Sequence, residues 1–153
     1  TNVSGKADLF SRGSRTSWQN LEARLQEGTF SGSAEIQQAR YHIKGELKDV
    51  HTFDPLSATL HGPIEIEGNQ QTLQTLSGKL TLSPLPGKIP VGGFVSAQYK
   101  AQQEQLIFEP SLLRLGESEL KLEGSLQRHL QVELHTRNLN ELLPAAFKLF
   151  YSF

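Results

Sequence analysis

Leu120-Lys-Leu-Glu-Gly124-Ser-Leu126 is the stretch from which the fold is read. Leu120, Leu122 and Leu126 share one parity, while Lys121, Glu123 and Gln127 take the other. Side chains of a β-strand alternate between two faces, so this pattern predicts a strand with one apolar and one wet face. Immediately downstream, Leu130, Val132 and Leu134 alternate with Gln131, Glu133 and His135 in the same way. Upstream, Ile64 and Ile66 alternate with Glu65 and Glu67, and Leu80 and Leu82 with Lys79, Thr81 and Ser83. The chain is therefore expected to be all-β.

The glycine inside the opening stretch is part of a finer pattern. It returns in Tyr41-His-Ile-Lys-Gly45-Glu-Leu47 and Ala58-Thr-Leu-His-Gly62-Pro-Ile64, and more loosely around Gly32 and Gly78. In every case the glycine takes the apolar parity. A single strand glycine is as readily an ordinary breaker between hairpins. Gly32, Gly45, Gly62, Gly78 and Gly124 together, all in one phase, point to positions where strands bend or bulge. The expectation is a curved antiparallel sheet folded into an elongated open groove, a β-taco.

Turns are predicted at Gly68-Asn69, Pro84-Leu-Pro-Gly87 and Gly92-Gly93. One short helical turn is predicted near 138–144, with Asn138 or Asn140 as cap and Pro144 limiting it. Between Ser17 and Gln26, Leu21 and Leu25 have helical spacing, but the shared parity of Leu21, Ala23 and Leu25 reads as strand.

With 153 residues the chain reads as a single all-β segment over 1–153. Its 15 basic and 16 acidic residues give a formal net charge of −1, and no stretch concentrates Lys or Arg, so nucleic acid is not an expected partner. No apolar run approaches the roughly 20 residues of a membrane-spanning helix. The chain has no Cys and no Met, and it opens Thr1-Asn2-Val3-Ser4 without a signal peptide. It is read as a segment of a longer exported bacterial protein.

Catalytic patterns are missing. Gly28-Thr-Phe-Ser-Gly32 has its serine one place too late for a nucleophile elbow, and the Gly-Lys pairs lack phosphate-loop spacing. No two of His42, His51, His61, His129 and His135 stand two or four residues apart, and His129 and His135 would lie roughly 20 Å apart along a strand. His42, His61 and His135 fall on the polar parity and are read as solvent-facing. The 13 Glu and 3 Asp sit mostly at alternate positions, as an outer face that stays wet and discourages edge pairing. No catalytic residue, metal or cofactor is expected, and the chain is read as non-enzymatic.

Ile89-Pro-Val-Gly-Gly-Phe-Val-Ser-Ala-Gln-Tyr99, Leu106-Ile-Phe108, the run Leu113 to Leu126, and Leu130-Gln-Val-Glu-Leu-His-Thr-Arg-Asn-Leu-Asn-Glu-Leu-Leu-Pro144 resemble the repeating units of the TamB family, within the AsmA-like superfamily. The resemblance is best over 85–144, and residues 1–84 share only its rhythm of short strands with Gly on the apolar face. It implies a taco-like hydrophobic groove on a protein that spans the periplasm, anchored in the inner membrane by a segment outside this chain. It further implies lipid transport, carrying phospholipid between inner and outer membranes, or outer-membrane biogenesis and protein secretion beside a barrel partner of the TamA type. It brings no catalytic residues. Ala145-Ala-Phe-Lys-Leu-Phe-Tyr-Ser-Phe153 departs from the family look, and reads as a strand cut from its neighbour or an element that plugs the groove.

The expected groove lining, in contact with acyl chains, is Ile43, Leu47, Leu60, Ile64, Ile66, Leu80, Leu82, Val95, Tyr99, Leu106, Phe108, Leu120, Leu122, Leu126, Leu130, Val132 and Leu134. The same parity describes the sealed core of a β-sandwich or small barrel, and only the family resemblance favours the open groove. Two other functions stay open: a scaffold that binds outer-membrane protein strands by β-augmentation, and a sealed carbohydrate-binding β-sandwich, for which Trp18 is the only Trp. Both ends are expected to be cut edges, prone to edge-to-edge self-association.

Overall fold

The computed structural model describes residues 4–25, 27–70 and 72–140. Strand follows strand: β1 (Ser4–Arg12), β2 (Arg15–Leu25), β3 (Gly28–Gln37), β4 (Arg40–His51), β5 (Leu56–Asn69), β6 (Thr72–Pro84), β7 (Ile89–Pro90), β8 (Gly92–Lys100), a 3₁₀ turn at Ala101–Gln103, β9 (Gln105–Leu115), β10 (Ser118–Ser125) and β11 (His129–His135). The 11-stranded sheet is a meander in which sequence neighbours are spatial neighbours, with β7 off the path and parallel to β5. Every other pairing is antiparallel. β1 and β11 close the two ends without pairing with each other, so the sheet is open. No second layer covers it among the described residues, which resolves the choice between sealed sandwich and open curved sheet in favour of the latter.

Short turns make this possible. Gln38 and Ala39 join β3 to β4 with φ of 47° and 70°, the left-handed pair that matches the twist of a two-residue hairpin. Single extra residues then re-phase the strands. Asn20, with φ 50°, sits in the register shift between Trp18 and Leu21, and Asp49, with φ 53°, in that between Leu47 and Val50. Each bulge brings an even and an odd position onto one face, so the apolar side stays continuous although the strict alternation breaks. Both neighbours of β9 lose register between Phe108 and Ser111, where Pro110 has no amide to give the ladder.

Register brings four of the five phased glycines into one line. Leu21 lies opposite Gly32, then follow Gly45, Ile64, Gly78, Ala97, Phe108, Gly124 and Leu130, each the direct cross-strand partner of the last. Gly62 stands in the next row, opposite Leu47, with φ 135°. A β-carbon on Gly45 would lie 2.3 Å from Ser31 O and 2.7 Å from Phe30 Cζ, so glycine is what lets β3 and β4 approach and Phe30 fold over them.

The buried core is small and sits over the middle strands, β5 to β9, of the sheet. The loop after β6 turns back so that Ile89 and Val91 cover Ala58 and Leu82, with Leu56, Leu60, Val95, Leu113 and Leu115 packed around them. Val91 and Leu85 donate their amides to Ser57 O, which ties the loop down.

The structure departs from the sequence reading at several points. Gly92-Gly93 is no turn: Gly93 pairs with Leu82 and Leu113 inside β8, where a side chain would meet Leu112 O, while the loop 84–91 makes the reversal. Gly68-Asn69 closes the β5–β6 ladder opposite Leu73 and Thr72 and so belongs to the strand. Leu126 lies in the β10–β11 turn, 56% exposed, its amide bonded to Leu106 O. Near 138–144, Asn138 Oδ1 accepts from the Asn140 amide at 3.1 Å as the backbone turns helical at Leu139 and Asn140; the rest of that expectation, and the apolar end 145–153, lie outside the described residues.

Gly45→Ala is expected to lower the free energy of unfolding in urea by about 1–3 kcal/mol, because backbone must move. Gly78→Ala, whose β-carbon would meet Ile64 and Leu80 at ordinary distances of 3.4 and 3.6 Å, should change it by less than about 0.5 kcal/mol.

Candidate functional site

Cross-strand partners share a face, so the register assembles the expected lining into rows that run across the strands. One row runs Leu9, Trp18, Ala34, Ile43, Ile66, Leu76, Tyr99 and Leu106, from β1 to β9. At about 4.8 Å per strand this row is roughly 34 Å long. The glycine row flanks it and contributes Ile64, Phe108 and Leu130. Beyond that lie Phe30 opposite Leu47, Leu80 opposite Val95, and Leu122 opposite Val132. A last row runs Val50, Leu60, Leu82, Gly93, Leu113, Leu120 and Leu134.

The lining divides into two environments. Leu60, Leu82 and Val95 belong to the local core under Ile89 and Val91 and are closed off by the loop; this part of the expected open groove is corrected to a sealed patch. Leu76, Val132 and Leu134 are 40%, 52% and 49% exposed, and nothing among the described residues covers them. Ile43, Leu47, Ile64, Ile66, Leu80, Tyr99, Leu106, Phe108, Leu120, Leu122 and Leu130 are half-buried by one another. Leu126 leaves the lining for its turn.

Sequence reasoning missed Leu9, Trp18, Leu21, Ala34, Leu76 and Leu113 as members of these rows. The bulges at Asn20 and in β9 hide Trp18 and Leu113 from parity counting, because each stands one residue out of phase with its strand's other apolar positions. Only the register restores them.

The opposite face is polar, and it carries the concavities. A trough of about 580 Å³ follows the glycine row from β3 to β9, its walls including Lys44, Glu65, Ser77, Lys79 and Gln98 and its floor the backbone of Gly45 and Gly78. Another, of about 290 Å³, holds Phe94 and Leu112, an apolar cross-strand pair on the otherwise wet side, beside Pro110 and Lys121. The apolar face is a shallow open strip.

Charged side chains pair across strands on the polar face: Lys6 with Glu22 at 3.2 Å, Arg15 with Glu35 at 2.5 Å and Arg114 with Glu119 at 3.3 Å. His42, His61 and His135 lie on this face, as their parity indicates. His61 Nε2 stands 3.2 Å from Thr59 Oγ1 and 3.6 Å from Asp49 Oδ1, superficially a nucleophile, base and acid. The Asp49 amide donates to Nδ1 at 3.4 Å, so the proton of a neutral ring is on Nε2, which donates toward Thr59 and cannot take its hydrogen. One set of metal-ligating side chains comes together among the described residues: His42, Glu65 and Glu67, with a donor atom of each within 4.8 Å of the others. Spacing rules within one strand could not find it, because the histidine is on β4 and both carboxylates are on β5.

Glu133 is the residue whose acidity is perturbed. A hydrogen bond from His135 Nε2, at 2.5 Å, and the charge of Lys121 across the β10–β11 ladder hold its carboxyl below the usual carboxylate range.

No helix among the described residues is long and apolar enough to cross a membrane. No family model, no curated protein and no solved structure matches this chain.

A folded-state pKa below the unfolded one gives stability that is present above the unfolded pKa and lost as pH falls through the folded one. His135→Ala should therefore raise the Glu133 titration midpoint toward the ordinary value near about 4.3, read from the carboxyl carbon shift by NMR. The variant should accordingly keep less of this pH-dependent stability, because its folded and unfolded titrations lie closer together.

Proposed function

We propose that this chain is a segment of a periplasm-spanning protein whose apolar face carries phospholipid acyl chains between the inner and outer membranes, in support of outer-membrane biogenesis. The observation that carries this reading is the direction of the apolar rows. They run across the strands, parallel to the axis along which the sheet extends, on a face that no second sheet covers among the described residues. An acyl chain laid along the row from Leu9 to Leu106 meets an aliphatic or aromatic side chain at every strand step. Burial is worth about 0.8 kcal/mol per methylene without any directional contact, so the lane holds tails and is indifferent to head group. Exposed apolar surface of this extent marks a binding face rather than ordinary exterior.

In this reading the segment is a non-enzymatic conduit, anchored in the inner membrane by a part outside this chain, with a barrel partner of the TamA type at the far membrane. The resemblance of residues 85–144 to the TamB family supports that setting.

A second reading, a scaffold that adds outer-membrane protein strands to its edge, is favoured by β1, every residue of which is exposed. Edge pairing uses backbone groups and would be indifferent to the lining, and the same edge would serve self-association of this segment.

Leu76→Asp separates the two. The site is 40% exposed, so the variant should fold. Native mass spectrometry of detergent-free protein should find co-purifying phospholipid on the unaltered chain and at least about tenfold less on the variant, the cost of a carboxylate in an apolar lane. An unaltered chain that carries no lipid and takes up no fluorescent fatty acid overturns the conduit. Leu82→Asp, in the sealed patch, should instead prevent folding.

A further inference from the structure

On the polar face, opposite the apolar lane, His42 stands in β4 between carboxylates on both sides. Glu35 of β3 and Glu67 of β5 are its direct cross-strand partners, and Glu65 lies on the same face of β5 two residues from Glu67. Arg15 occupies Glu35 at 2.5 Å, which leaves the β5 pair for the imidazole. His42 Nε2 lies 2.5 Å from Glu65 Oε1 and 3.6 Å from Glu67 Oε1. Lys44 is directly opposite Glu65, yet Glu65 leans past it toward the ring.

Three features make this more than a surface ion pair. Two like charges side by side on one strand face repel, and here both converge on one nitrogen. The donor set mixes imidazole with carboxylate, which suits zinc and its transition-metal neighbours better than calcium or magnesium. The cluster also opens on a concavity of about 620 Å³, lined by His42 and Glu67 with Glu35, Arg40, Tyr41 and Gln74, so a bound ion would have room for water or an anionic group in its remaining positions.

We propose that His42, Glu65 and Glu67 form a three-ligand site for a divalent transition metal of the zinc class. In a tetrahedral zinc site with bonds of about 2.1 Å, neighbouring donors stand about 3.3 Å apart. The present separations of 2.5 and 3.6 Å fall on either side of that value, and side chains 40%, 47% and 50% exposed can reach it by rotation alone. The histidine comes from one strand and both carboxylates from the next, so the ion ties β4 to β5. Binding requires the neutral ring and so weakens on acidification.

The test is calorimetric titration of the untagged full chain with zinc chloride at slightly alkaline pH, beside His42→Ala, Glu65→Gln, Glu67→Gln and His135→Ala. One saturable site is expected, weakened at least about tenfold by each of the first three changes and untouched by His135→Ala, which removes a histidine that pairs with Glu133 while its cross-strand neighbour Glu119 is taken by Arg114. Cobalt(II) should give visible absorption bands that His42→Ala abolishes. Absence of saturable zinc uptake below millimolar concentration, or equal uptake by the His42→Ala and unaltered chains, overturns the proposal. So does an equal loss in His135→Ala, which would mean binding spread over surface histidines. Far-UV circular dichroism shows that each variant is folded, and Glu65→Gln keeps the test open if His42→Ala is not.

Discussion

Gly32 and Gly45 face each other so closely that a β-carbon on either would lie 2.5 to 2.8 Å from the other's Cα. This contact, in the cross-strand row that also carries Gly78 and Gly124, sets how closely β3 and β4 pair. Where the side-chain layer is interrupted, larger neighbours fold into the gap: Phe30 reaches over Gly45, and Ile64 and Leu80 lie against Gly78. Large residues break up the small ones along the row, with Ile64 and Phe108 between the pairs Gly32–Gly45 and Gly78–Ala97 and Gly124, and Leu21 and Leu130 at its ends. Side chains thus shelter one another along a single layer, and half-burial takes the place of a second sheet.

A single open layer is an unusual place to leave so much aliphatic surface. The enclosed cluster among the described residues is the patch of Ala58, Leu82, Ile89 and Val91, and elsewhere stability comes from ladder hydrogen bonds and from contacts within the apolar face. Sheets of this kind are stable when something covers the apolar side or when the strands are many. Here the strands are many and pair in one continuous ladder. The polar face answers the same problem differently, with cross-strand ion pairs that keep it wet and set the register without burying charge.

Much of this was legible in the residues, for a reason that can be named at each place. Alternation identified the strands because one face is apolar along nearly the whole chain, as at Leu120 to Leu134. A curved sheet was expected from the glycine phase, and what the structure gives Gly32 and Gly45 is the close approach of β3 to β4. Parity placed His42, His61 and His135 on the wet face. It failed where a bulge inserts a residue, which is why Trp18 and Leu113 were passed over, and where a glycine pair serves close packing, as at Gly92-Gly93. It could not tell that Leu60, Leu82 and Val95 are closed over while Leu76 is open, because what closes them is a loop that folds back from its own strand.

The sequence by itself determined the elements and their faces: period-two patterning, the placement of glycine and the turn residues are local properties, and in a meander local order is also spatial order. Only the tertiary structure decided how the strands align. Register is fixed by long-range pairing and re-phased by the bulges at Asn20, Asp49 and Pro110, and it alone turned phased glycines into one line and scattered leucines into rows. It also brought His42 to Glu65 and Glu67 from a neighbouring strand. Whether the sheet closes on itself depends on its two edge strands meeting, a relation between residues so far apart in the chain that no local pattern records it.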